Sequence, residues 1–334
     1  ITHLDTVFTA EEEARNDFRW RVSGDRIYGP GLNDIKGGTA MIWLVLCALG
    51  KFFPTQFRAT RWVILANAAE ERLAPDFAPL CRSRLGANAR AVMVFEAGAA
   101  EFGATEFPFV VARKGRAEWS FAVEGRGAHA GGEPAHGVNA LVQAAHLIPR
   151  IAALQDLGRD LSVNIGAVNG GTVANRVPSQ AVIHGECRAF DPALLDETVN
   201  RLRTLCDFSA SGIPTVRSEA DGHTCRATFA LGELVSPWPE NPATDRLWQL
   251  WQSVGDELGM KILREHRGGV SDGNALAGDL PVLEGLGPAG GNSHCSERSA
   301  DGAKEAEYLK VSSLAPKALL NTLALARLTQ VIVL

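Results

Sequence analysis

The chain of 334 residues is 46% hydrophobic and 21% charged, a globular composition that excludes a disordered protein and, at about 150 residues per domain, leaves room for roughly two domains. Its 33 basic and 38 acidic residues leave a net charge of −5, the wrong sign for binding phosphate backbones, so no nucleic-acid partner is expected. The longest apolar run, residues 40–49, falls short of the about 18 residues that span a bilayer and reads as a buried helix, so no membrane partner is expected either. Six cysteines without a C-x-x-C pair argue against a disulfide scaffold or a thiolate zinc site and read as free thiols of a reducing compartment, hence a cytoplasmic expectation. The sequence opens on Ile1 rather than Met, so any targeting address would lie upstream.

In chain order, Lys36-Gly37-Gly38 opens an apolar helical run to about residue 51. Residues 61–67 (RWVILAN) and 91–95 (AVMVF) read as buried strands. The first is followed by Glu70 and Glu71, the second by Glu96. Ligands of open α/β sheets sit beyond the carboxyl ends of strands, which makes these acids site candidates. The middle of the chain reads as strand 118–124, helix 136–154, strands 161–168 and 181–190, a helix from Asp191-Pro192 to about 205, and a short strand from 214. Asp191 suits the cap of that second helix and Pro192 its first turn. The order β-α-β-β-α-β is the split βαβ pattern, so residues 110–225 are expected to form a discrete inserted domain. Residues 1–109 and 226–334 would form the other, α/β domain. Its last third reads as helix 244–258, a loop at 268–274, a strand at 281–286, a Gly-rich loop at 287–296 and a closing helix from 312 to about 330.

The chemistry-bearing residues gather in a few short segments. In a strand, His3 and Asp5 share a face, and a metal-ligating histidine usually gives its second ring nitrogen to a carboxylate. Asp34, in a rigid Gly-Pro-Gly loop before a helix, suits either a helix cap or a bridge between metals. Glu70 and Glu71 repel each other and belong in solvent unless a cation neutralises one and a substrate water faces the other. His294 lies in Gly-Gly-Asn-Ser-His-Cys, where a histidine is either simply exposed or a ligand. Taken together, His3, Asp34, Glu71, Glu96 and His294 offer nitrogen and oxygen donors of the kind zinc accepts, and five residues with one shared carboxylate satisfy two metals. Glu70 is then left over as a general base.

The motifs HLDTV (3–7), GPGLNDIKGG (29–38), NAAEE (67–71), FEAG (95–98), GRGAHAGGEPAHGVNAL (125–141), NRVPSQA (175–181), ECRAFD (186–191), GGVSDGN (268–274) and SHCSE (293–297) run collinearly along the whole chain. They resemble the zinc-dependent aminoacylase/carboxypeptidase family, which includes acetylornithine deacetylase, succinyl-diaminopimelate desuccinylase and glutamate carboxypeptidase, and are most similar to the glutamate carboxypeptidase branch. The resemblance implies a zinc-exopeptidase-like α/β catalytic domain, with a mixed central sheet flanked by helices, and an inserted ferredoxin-like lid and dimerisation domain. It implies a dinuclear zinc amidohydrolase that cleaves an amide or peptide bond of an N-acyl amino acid, or of a peptide with a free carboxylate. Cobalt or manganese are alternatives to the two zinc ions per chain.

By the same resemblance, His3, Asp34 and Glu96 would bind one metal and Asp34, Glu71 and His294 the other. Asp5 would orient His3, and Glu70 would be the base for a metal-bridging water. His129 would reach the active site of the other subunit of a homodimer, while Asn175 and Arg188 would meet the substrate carboxylate, a task that suits the planar fork of arginine. The chain departs from the pattern at Ala69, where relatives usually carry Asp, at Cys295, where Ser is common, and before His3, where relatives carry a longer segment that this sequence is expected to lack. A catalytically impaired binding protein that keeps the pocket, and a ureido-type amidohydrolase using manganese, are the rival readings. Asp272 and Asn274 suit either a substrate loop or a plain turn.

Overall fold

Short apolar strands that end in polar loops, alternating with helices, dictate the architecture of the first and last thirds of the chain. A computed structural model describes residues 1–72, 74, 76–86, 88–99 and 105–330. The chain divides into two units: Ile1–Ala112 with Glu240–Arg267 and Ser271–Leu334, and Arg113–Pro239 with Gly268–Val270.

The first unit is built on a mixed sheet. Lys261–Arg267, Glu106–Arg113, Val282–Glu284 and Val92–Val94 lie side by side, the last two parallel to each other. The Val92–Val94 edge continues through Ile1, whose nitrogen donates to the Met93 carbonyl over 2.6 Å and whose carbonyl accepts from Phe95 N. Thr2–His3 then pairs in parallel with Ala66–Asn67. The helices Gly37–Phe52, Pro242–Glu257 and Leu314–Gln330 share one apolar core with this sheet: Met41, Val45 and Leu49, Leu247 and Trp251, and Leu320 and Ala324 meet Phe107, Phe109, Val111 and Leu283. A second sheet runs Arg21–Ser23, Arg26–Tyr28, Tyr308–Lys310, Ala289–Gly291, Gly98–Ala99.

One helical run, Leu32–Phe52, is by length and hydropathy (1.4) apolar enough to cross a membrane. It buries Met41, Ile42, Val45 and Leu49, and its first turn breaks helical geometry at Asp34 and Ile35. The helix proper begins at Gly37 because the backbone there has no room for a side chain: a Cβ on Gly38 would lie 1.9 Å from the Phe95 carbonyl oxygen. That approach fixes the start of the helix against the residue that precedes Glu96.

The second unit is a four-stranded antiparallel sheet in the order Arg226–Val235, Gly115–Glu124, Gln180–Ala189, Ser162–Gly170. Two helices, Ala140–Ala152 and Pro192–Thr204, bury Ala144, Leu147, Ile151, Leu195 and Leu202 against Trp119, Phe121, Ile183 and Cys187. Asp191 caps the second helix by accepting from Ala193 N, and Pro192 occupies its first turn.

The structure differs from the sequence reading in the 287–296 stretch, where Ala289–Gly291 is a strand rather than loop, in the bounds of the inserted unit and in residues 61–65. The inserted unit runs to Pro239 rather than 225, because its fourth strand is Arg226–Val235; the 214–217 stretch contributes only an isolated bridge between Arg217 and Thr224. Arg226–Val235 is interrupted by a bulge and half-exposed along its length, so it lacks a clean alternation. Residues 61–65 are not a buried strand: pairing reaches back no further than the Leu65 carbonyl, which accepts from Thr2 N, and Ile64 is 58% exposed.

Gly38→Ala is expected to destabilise the first unit by about 1–3 kcal/mol, the usual cost of forcing a methyl group into packed backbone. Denaturant unfolding of the two proteins checks this; equal stabilities would show that the helix start shifts freely away from Phe95.

Candidate metal centre

Three strand ends and two loops of the first unit deliver the candidate ligands to one place. Thr2–His3 and Val92–Val94 end at His3 and, two residues on, at Glu96; the turn beyond Ala66–Asn67 carries Glu70 and Glu71; the Gly31 loop carries Asp34; and the loop after Ala289–Gly291 carries His294. Gly31 sits at φ 66°, a left-handed turn where a Cβ would strike Thr6. His294 is itself held at φ 66°, a costly region for a residue with a side chain and one often found at functional sites.

Asp34 is the pivot. Its Oδ1 accepts from His3 Nε2 over 3.0 Å and its Oδ2 from His294 Nε2 over 3.1 Å, so the two oxygens are divided between the two histidines. Glu96 Oε1 lies 3.7 Å from His3 Nε2, and Glu71 Oε1 lies 3.4 Å from His294 Nε2. His3, Asp34 and Glu71 offer ligand atoms all within 4.8 Å of one another. The five residues expected as ligands therefore do converge in one cluster. His294, its side chain 52% exposed, forms the open side, and His3, at 1%, the closed one.

The electrostatics are those of a site short of positive charge. Burial works against a charge on His3, yet its hydrogen bond to Asp34 and the nearby Glu96, Asp34 and Glu70 raise its pKa to about 10. The hydrogen bond to Asp34, against a smaller cost of burial, raises His294 to about 9. Burial opposes ionisation of Asp34 as well, but the two histidines hold it below the usual carboxylate range. Burial, then Asp272, raises Glu70 to about 8, and burial together with Asp34 raises Glu71. Glu71 Oε1 is buried without a hydrogen bond. An orphaned carboxylate oxygen, and two histidines that acquire protons in order to face carboxylates, fit a centre whose imidazole nitrogens and carboxylate oxygens hold metal cations.

The supporting contacts differ in part from the expected ones. His3 Nδ1 donates to the backbone carbonyl of Asp5 over 3.0 Å, while the Asp5 carboxylate stands 3.6 Å from that nitrogen and accepts instead from Glu70 N and Glu71 N, both at 3.1 Å. Asp5 thus orients the histidine through its backbone and the glutamate pair through its side chain. Asn67 Oδ1 accepts from Ala69 N, so this turn is fastened although Ala69 has no polar side chain. Asn67 Nδ2 donates to Asp272 Oδ1, which gives Asp272 a partner in this unit. The Glu70 carboxylate has no hydrogen-bond partner among the described residues and is free to serve a ligand.

His129, Asn175 and Arg188 all lie in the second unit. His129 Nδ1 accepts from Gly131 N and Gly132 N, which leaves Nε2 as the ring's donor. Ala130 N donates to the Asn175 carbonyl and His129 bridges to Arg176, so the loops of His129 and Asn175 are joined. Arg188 is engaged: Nε and Nη2 donate to the Glu186 carboxylate at 2.7 and 3.1 Å, and Nη1 donates to the Gly268 carbonyl. Sequence reasoning missed Glu186 in this role, although residues i and i+2 of a strand share a face. It also missed Glu307, whose Oε1 accepts from Asn33 N and Asp34 N.

Ligand-type side chains at the ends of sheet strands, beside an unengaged glutamate, are the makings of a metal-assisted hydrolase. Comparison with known proteins agrees. Residues 111–214 match the peptidase dimerisation domain of the M20 group. Carboxypeptidase G2 from Pseudomonas sp. (strain RS-16) is 28% identical over 316 residues, which cover 94% of this chain and 69% of that protein. The aminopeptidase PepT structure from Bacillus cereus ATCC 10987 superposes with a TM-score of 0.73 at 20% identity, covering 97% of this chain and 79% of that one. The YXEP protein of Bacillus subtilis, described as a dinuclear metal binding peptidase from the M20 family, gives a TM-score of 0.63 at 14% identity, over 88% of this chain and 72% of that one. The fold is thus that of these peptidase structures, and carboxypeptidase G2 is a hydrolase acting on C–N bonds. The chain is similar to M20 peptidases in its middle region and in its fold.

A folded-state pKa raised above the unfolded value of 6.5 contributes stability that is complete below that value and lost as pH rises through the folded one. The metal-free protein is therefore expected to lose stability steadily from about pH 6.5 to about pH 10, until His294 and then His3 have released their protons. Unfolding in a chelating buffer measures this. His3→Gln should flatten the slope; an unchanged slope would show that His3 holds no extra proton.

Proposed function

We propose that the chain is a dinuclear zinc amidohydrolase that cleaves an amide or peptide bond of an N-acyl amino acid, or of a peptide with a free carboxylate. The observation that carries the reading is the division of the Asp34 carboxylate between His3 and His294, with Glu96 behind the first and Glu71 behind the second. His3, Asp34 and Glu96 would hold one metal and Asp34, Glu71 and His294 the other. Such ions, when bound, supply Lewis acidity and bring a water's pKa down towards about 7. Cobalt or manganese suit the same nitrogen and oxygen donors.

The chain's own residues supply the rest. Glu70, beside the cluster and unengaged, takes the proton of the attacking water and hands it to the leaving nitrogen. Asp5 keeps Glu70 in place by accepting its backbone N–H. His129 of the partner subunit donates to the oxyanion, consistent with a homodimer formed through the inserted unit. Asn175 and Arg188 meet the substrate carboxylate. Arg188 spends three N–H groups on Glu186 and Gly268 and keeps two of its five for that contact.

Assays of N-acyl amino acids and dipeptides, with zinc, cobalt or manganese added, test the proposal. Glu70→Gln is expected to lower kcat by about 10²–10⁴-fold, the usual contribution of a general base, with metal content unchanged. Loss of metal together with activity would contradict the separation of base from ligands. A metal-loaded wild type that turns over none of these substrates would contradict the reaction class.

A further inference from the structure

Glu307 is fully buried, and nothing in the catalytic reading uses it. One of its oxygens, Oε1, accepts two successive backbone N–H groups, Asn33 at 2.7 Å and Asp34 at 3.0 Å. Its own backbone N donates over 2.7 Å to the carbonyl of Cys295, the residue after His294. The same two loops meet once more beside it: Asn33 Nδ2 donates to Ser293 Oγ over 2.8 Å, and Gly290 lies so near Asn33 Oδ1 that a Cβ there would come within 2.0 Å. One residue is therefore bonded on its side-chain side to the loop of Asp34 and on its backbone side to the loop of His294.

Packing alone does not account for a carboxylate here. Its second oxygen, Oε2, is buried with no hydrogen-bond partner, and a buried carboxylate costs more than an apolar side chain of similar size. The neighbouring Glu305 repeats the pattern at the rim, accepting from Tyr28 Oη over 2.7 Å and from Arg26, so residues 305–307 fasten the 26–34 segment along its length. We infer that Glu307 is a positioning residue that sets the place of Asp34 relative to His294, and through them the geometry of the metal centre. This rests on the dinuclear reading above. Its essential property is reach with an acceptor oxygen, rather than negative charge.

Two mild variants separate these properties. Glu307→Gln keeps the length and the acceptor but loses the charge; Glu307→Asp keeps the charge but is one methylene too short to serve both N–H groups. Cobalt(II) is titrated into each apoprotein against a competing chelator, with the visible spectrum recording coordination and circular dichroism the fold. Glu307→Asp is expected to bind cobalt about 10–100-fold more weakly and with an altered spectrum, as when a residue supporting a ligand is lost, and Glu307→Gln to stay within about threefold of wild type. A Glu307→Asp protein with wild-type affinity and spectrum overturns the inference, as does a Glu307→Gln protein as weak as Glu307→Asp. A wild type that binds no cobalt fails differently, since it removes the metal centre itself.

Discussion

The convergence of carboxylates on two histidines is the constraint on which the rest of this structure depends. Glu70, Glu71 and Glu96, beyond the ends of strands, come together with Asp34 from the Gly31 loop, and Asp272 is near enough to raise Glu70 further. Like charges at such distances, partly removed from water, are tolerable only if protons or cations compensate them. In the metal-free protein protons do so, on His3, His294 and Glu70. Metal cations would displace those protons, and that exchange links the fold, the acidity of the site and its chemistry.

The surrounding fold serves this convergence. The sheet brings His3, Glu96 and the Glu70–Glu71 turn to one side, the close approach of Gly38 to Phe95 sets where the next helix begins, and Asp34 lies just before it. Asp5 spans the site by holding His3 through its carbonyl and the glutamate pair through its carboxylate. The second unit has a core of its own and carries His129, Asn175 and Arg188, the residues proposed to meet the substrate.

Much of this was legible in the sequence because the candidate ligands occur in short local motifs. Helix and strand order in the middle of the chain followed from apolar periodicity, with Asp191 and Pro192 marking a helix start as their side chains require. Three features were not legible. Residues 61–65 have the composition of a buried strand, but composition does not reveal how far a partner strand extends. The strand Arg226–Val235 is bulged and half-exposed, so its periodicity was too weak to move the domain boundary past it. Glu307 lies thirteen positions after His294 and reaches back to Asp34, a contact between distant segments that no local pattern encodes.

The most direct test of the account is the metal content per chain of protein purified without chelator and dialysed against zinc. The convergence of His3, Glu96, Glu71 and His294 around a shared Asp34 predicts close to two zinc ions per chain, falling sharply in Asp34→Ala. A wild-type chain that retains no zinc, and none after exposure to cobalt or manganese, would contradict it: the histidines and carboxylates would then be a proton-balanced cluster and not a metal centre.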